Sequence, residues 1–134
     1  MRKLIAITSC LFSLAVQAAT PQELLDGYAA QAKQENPAFT GFSAERGAAF
    51  FKTEHASNGR QTSCATCHTP DPRQQGKTRA NKVIEPLAPI VNPQRFTDIN
   101  KVEKWFGRNC KDVLERACTA QEKGDFIRFL VNVK

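Results

Sequence analysis

Cys64, Cys67 and His68 stand together in the run Cys64-Ala65-Thr66-Cys67-His68. Two thiols at this spacing, followed at once by an imidazole, form the attachment pattern for a c-type haem. Each sulfur can make a thioether with a haem vinyl group, and the histidine is delivered to one axial face of the iron. Rival uses of such a pair need more than this chain offers. A zinc site wants four ligands, usually with a second Cys/His pair at metal spacing. A thioredoxin-like redox pair wants a βαβ context. The expected cofactor is therefore one covalent haem c, with His68 as proximal ligand.

The opposite axial position is open to several claimants. The only methionine is Met1, so the His/Met pair that raises the potential of many electron carriers is not available. His55 is the one other histidine and would give a bis-His site, although the segment just before the attachment motif usually lies on the His68 side. Lys101, Lys104 and Lys111 can ligate only after losing a proton, which is costly near pH 7 unless the site is dry. Cys110 as a thiolate is a further claimant. Asn109 carries a neutral carboxamide, and on composition alone it would serve only to satisfy a helix end.

The chain has 134 residues, enough for one small domain and a leader. Arg2 and Lys3 precede a mostly apolar stretch from Leu4 to Val16, too short for a good spanning helix, and Val16-Gln17-Ala18 offers small residues for cleavage. Residues 1–18 are thus expected to be a cleaved secretory signal peptide, and 19–134 a single domain with no stable membrane insertion. Uncleaved, the same segment would be an anchor. The expected location is the periplasm, because covalent haem attachment in bacteria takes place outside the cytoplasmic membrane. There Cys110 and Cys118 would meet an oxidising environment. Removing Arg2 and Lys3 from the 19 basic residues leaves 17 against 13 acidic ones, a net charge of +4. The positives are scattered, which argues against nucleic acid as a partner in an exported protein. A positive face can still meet an acidic redox partner.

The elements that position these residues read as helices. Thr20-Pro21-Gln22-Glu23 is a helix start with a capping box and proline at its first turn, and Asn36-Pro37 ends that helix. Ser43 caps a second helix through Phe50 and Phe51, in which Gly47 predicts close approach of another helix. Ala56 to Gln61 reads as a polar turn. Five of the seven prolines fall between Pro70 and Pro93. That segment is expected to wrap the haem edge with little regular structure, using Val83, Ile84, Leu87, Ile90 and Val91. Lys77, Arg79, Lys82 and Arg95 are its candidates for pairing with propionates. A third helix, capped by Thr97 or Asp98, carries Ile99, Val102 and Phe106 at helical spacing and is expected to stop at Gly107. A short turn around Val113 and Leu114 would follow. Thr119-Ala120-Gln121-Glu122 opens a last helix that buries Phe126, Ile127, Leu130 and Val131. No repeat and no strand-like alternation is visible, so the fold class is all-α.

This order of elements resembles a class I cytochrome c, in which the first and last helices cross, with an extra N-terminal helix here. A narrower resemblance rests on Trp105-Phe106-Gly107-Arg108-Asn109-Cys110-Lys111-Asp112-Val113, followed by Ala117-Cys118-Thr119. Together with the missing internal methionine and the size, this run is similar to the sphaeroides haem protein group. The resemblance implies that Asn109 is the distal iron ligand and that Cys110 and Cys118 form a disulfide. It also implies a haem protein that binds oxygen or other diatomics (NO, CO) when reduced and takes electrons from a dihaem cytochrome c or other donor. No catalytic residue is assigned. The alternative is a plain low-potential electron-transfer cytochrome c that stays six-coordinate.

Overall fold

The structure, a computed structural model, describes residues 19–134; the leader expected over residues 1–18 lies outside them. Five helices and four very short strands follow in the order α1 (Pro21–Glu35), α2 (Ala44–Lys52), β1 (His55–Ser57), β2 (Arg60–Thr62), α3 (Cys64–His68), β3 (Gly76–Lys77), β4 (Val83–Ile84), α4 (Ile99–Leu114) and α5 (Ala120–Val131). Among the described residues, no helix is long and apolar enough to cross a membrane.

Local sequence sets the helix ends as expected. The Thr20 hydroxyl accepts from the Glu23 backbone N–H while the Glu23 carboxylate accepts from the Thr20 N–H at 2.7 Å, closing the capping box of α1. Thr119 and Glu122 repeat the arrangement at α5. Ser43 caps α2 through the Arg46 N–H.

The core is the crossing of α2 on α5, with α1 laid against α5. A Cβ on Gly47 would lie 2.0 Å from the backbone oxygen of Asp125, so only glycine permits the two helices to touch here. Asp125, almost fully buried, ties the crossing together. It accepts the Ser43 N–H at 2.7 Å and two bonds from the Arg46 guanidinium at 2.8 and 2.9 Å. Phe51, Ile127 and Leu130 are completely buried around this contact. Val131, expected on the same side, is only half-buried. Tyr28 of α1 meets Phe106 of α4 edge-on at 6.2 Å and donates its hydroxyl to Glu103, which also pairs with Lys123 at 2.8 Å. One polar knot thereby joins α1, α4 and α5.

Four expectations about α4 and the irregular segments need correction. The helix expected to stop at Gly107 continues through it, and α4 runs unbroken to Leu114. Gly107 takes no positive φ, and the space beside it is open. Its cost of about 1 kcal/mol against alanine is outweighed by continued burial of Val102, Phe106 and Cys110 on one face. The helix ends instead at Glu115, which is left-handed with φ 57°. Ile99 lies on the exposed side rather than with Val102 and Phe106.

The other two corrections concern irregular segments. The expected polar turn at Ala56 to Gln61 is an antiparallel hairpin pairing His55 with Thr62 and Ser57 with Arg60. Asn58 and Gly59 form its turn with φ of 50° and 72°, the left-handed pair that a two-residue hairpin requires. Within the proline-rich segment, β3 pairs with β4.

Candidate haem site

α3 is a single turn built from the motif itself. Ser63 precedes it, and the Ser63 N–H donates to the Thr66 hydroxyl at 2.9 Å, closing the turn from inside the motif. Cys64 and Cys67, three residues apart on this turn, share a face. Both are half-buried free thiols. Burial pushes the Cys64 thiol up to about 11, so it is not poised as a reactive thiolate. Burial, with the Arg95 charge second, lowers His68 to about 4. His68 is therefore neutral at pH 7, the form in which imidazole binds iron.

The chain after α3 folds back on the motif. A Cβ on Gly76 would sit 2.0 Å from the Cys67 backbone oxygen, so β3 passes directly against the turn only because residue 76 is glycine. Leu87 and Ala88 both donate their N–H groups to the Pro72 oxygen, at 2.9 and 3.0 Å, and both are buried. Arg95 is half-buried and donates to the Pro86 and Glu85 carbonyls. Of the four cations considered for propionates, it is the one brought into electrostatic reach of His68; Lys77, Arg79 and Lys82 are exposed. Val83, Ile90 and Val91, expected to supply apolar contacts, are 56%, 63% and 50% exposed. That is apolar surface the protein alone leaves uncovered.

These residues fit a haem c. The donor set is two free thiols and a neutral, half-buried imidazole in one turn, with a half-buried arginine in electrostatic reach. Cys64 and Cys67 would hold the group covalently and His68 would ligate its iron.

The claimants for the other axial position separate in the structure. Lys101, Lys104 and Lys111 are exposed on α4. Cys110 is bonded to Cys118 with a Cα–Cα distance of 5.6 Å, which removes it as a thiolate. Asn109 precedes this bond and is half-buried, at the border between the buried face of α4 and its outer face. His55 lies on β1, and β1 packs against α4 rather than standing apart from it. The His55 Nε2 is buried with no hydrogen-bond partner among the described residues.

The hairpin also holds α4, a role that sequence reasoning missed. Ser57 donates its hydroxyl to the Asp112 backbone oxygen at 2.8 Å, and the Asn58 N–H donates to the Glu115 carboxylate at 2.7 Å. The first meets a carbonyl of the last turn of α4, where helix carbonyls lack partners, and the second the side chain of the C-cap residue just beyond it. The dipeptide Asn58-Gly59 was the available signal for this hairpin.

Comparison with known proteins gives consistent matches. Residues 37–130 match the family described as a domain of unknown function, DUF1924. The chain is 46% identical over 112 residues to the cytochrome c-type protein SHP of Cereibacter sphaeroides, covering 83% of this chain and 82% of that protein. It is 37% identical over 135 residues to cytochrome c'' of Methylophilus methylotrophus, covering 98% of this chain and 94% of the relative. Among solved structures it is similar to oxidized SHP, described as an oxygen-binding cytochrome c, with a TM-score of 0.76 at 42% identity, covering 84% of this chain and 96% of that one. Oxidized cytochrome c'' matches with a TM-score of 0.78 at 38% identity, covering 85% and 94%.

Proposed function

This chain belongs to the DUF1924 family and is a cytochrome c of the sphaeroides haem protein (SHP) group, and from that premise we propose that it is a periplasmic monohaem protein that binds oxygen, or another diatomic gas such as NO or CO, when reduced. When bound, the haem would supply an iron that changes between ferric and ferrous states and takes small ligands. His68 would hold that iron from α3, and Asn109 would offer it the oxygen of its carboxamide. This oxygen is a hard, neutral, weak donor that suits ferric iron better than ferrous iron, so Asn109 would give way more readily once the protein is reduced. Its NH₂ group would then be free to donate a hydrogen bond to the incoming gas. Electrons come from a separate donor protein, a dihaem cytochrome c on the resemblance.

The observation that carries this reading is the position of Asn109. It is half-buried on a continuous helix, with the bonded Cys110 next to it and no methionine in the described chain to compete. It is supported by the relative described as an oxygen-binding cytochrome c. The test is to add carbon monoxide to the reduced holoprotein. A shifted Soret band is expected; an unchanged spectrum at saturating gas would leave only a closed electron carrier.

One observation favours a second ligand arrangement. The unpartnered Nε2 of His55, on a strand that packs against α4, has the chemistry of a strong iron ligand. In that reading, His55 rather than Asn109 would hold the iron, and Asn109 would only satisfy the helix.

A further inference from the structure

The outward face of α4 carries Lys101, Lys104, Trp105, Arg108 and Lys111, spaced so that they form one stripe along the helix. All five are exposed. None of the four cations takes part in a salt bridge among the described residues. The helix's own acids do little to neutralise them. Glu103 is turned away to Tyr28 and Lys123, the Glu115 carboxylate just past the helix accepts from the Asn58 N–H, and Asp112, four residues after Arg108, is the one acid of α4 within the stripe. Like charges at these spacings repel one another and destabilise the helix, so the stripe is not explained by folding. At its centre Trp105 is 45% exposed, with the Arg108 guanidinium stacked 5.3 Å from its ring. An aromatic with arginine beside it, ringed by charge, is the composition of a protein-binding hot spot.

We propose that this face of α4 is the docking surface for an acidic electron-donor protein. The inference rests on the proposed function, which requires an external donor, and adds where the donor sits. Charge complementarity selects the occupant: four unpaired cations call for a carboxylate-rich surface, and Trp105 gives that encounter a specific anchor. A lipid surface fits less well. Interfacial helices bury a broad apolar face, and this stripe has a single apolar side chain. The position suits electron entry, because Trp105 and Asn109 are one helical turn apart, about 6 Å along the axis. On docking, the donor would lose one electron and the ferric iron held by His68 would gain it; no bond forms between the two proteins and no proton passes between them.

The experiment uses the ferric holoprotein with reduced flavodoxin as an acidic one-electron probe, and with dithionite as a small-molecule control. The flavodoxin rate should fall steeply as ionic strength rises from about 10 to about 300 mM. In Lys104→Glu/Arg108→Glu it should drop about tenfold or more at low salt and lose most of that dependence. Trp105→Ala should slow it with the salt dependence kept. Dithionite rates should be unchanged in all variants. Carbodiimide cross-linking to flavodoxin should join peptides of α4 and should disappear in the double variant. The control Lys33→Glu/Lys52→Glu makes the same change in net charge away from α4. Equal slowing by that control would overturn the proposal, as would cross-links that avoid α4. Binding to phosphatidylglycerol vesicles that is lost in the double variant, with its flavodoxin rate intact, would assign the stripe to a membrane instead and also overturn it. Carbon monoxide binding by the same variants separates the two readings. If it is normal while docking fails, only the donor surface is wrong; if reduced wild type takes no gas, the proposed function fails whatever the docking result.

Discussion

Ser57 donates its hydroxyl to the backbone oxygen of Asp112, 2.8 Å away. The hairpin that leads directly into Cys64 thus grips the helix that carries Asn109. The attachment turn and the candidate distal ligand are joined by a short path through protein, and not only through a cofactor. The Cys110–Cys118 bond anchors the same stretch of helix from the other end of the loop.

Replacing Ser57 with alanine leaves the Asp112 carbonyl without its partner. A loss of about 1 kcal/mol is expected in denaturant unfolding. Because Asn109 lies one turn before that carbonyl, the variant should also bind carbon monoxide faster in flash photolysis. Unchanged gas kinetics with lowered stability would limit Ser57 to a structural role.

The disulfide should be closed in the native protein. Alkylation of the unreduced, denatured holoprotein should label neither Cys110 nor Cys118, and no label at all is expected where the haem would occupy Cys64 and Cys67. Replacing both bridge cysteines with alanine should cost about 2–3 kcal/mol, the chain-entropy value for so short a loop. Labelling at both positions would remove the staple from the account.

Glu122 should contribute to acid sensitivity. Burial raises its pKa, but the Arg116 guanidinium and the Thr119 N–H and hydroxyl outweigh that and hold it below the usual carboxylate range. A carboxylate with a depressed folded-state pKa stabilises the fold above its unfolded pKa, and that contribution is lost as pH falls through the folded value. Glu122→Gln should therefore be less stable than wild type at neutral pH, with the difference shrinking below about 4.5. A difference that stays constant across that range would show that the capping geometry matters and the charge does not.

Much of this was legible in the sequence because it depends on local chemistry. Capping boxes at Thr20 and Thr119 and the helix-contact glycine at position 47 announce themselves within a few residues. The attachment motif does so within five. What was not legible depended on long-range contact. Gly107 reads as a stop, yet the buried face formed by Phe106 and Cys110 carries α4 across it. The hairpin at Asn58-Gly59 was obscured because its strands are three residues each and show no alternation. The packing of the segment before the motif against α4 appears only in three dimensions. That packing brings the strand of His55 against the helix of Asn109.

The measurement that bears most directly on the account is the ferric spectrum of Asn109→Ala holoprotein, followed by its carbon monoxide association rate once reduced. The account predicts a ferric spectrum typical of an open or water-bound site, and gas association faster than in wild type because nothing must move aside. If both the spectrum and the rate match wild type, Asn109 is not the ligand, and His55→Ala becomes the variant expected to change them.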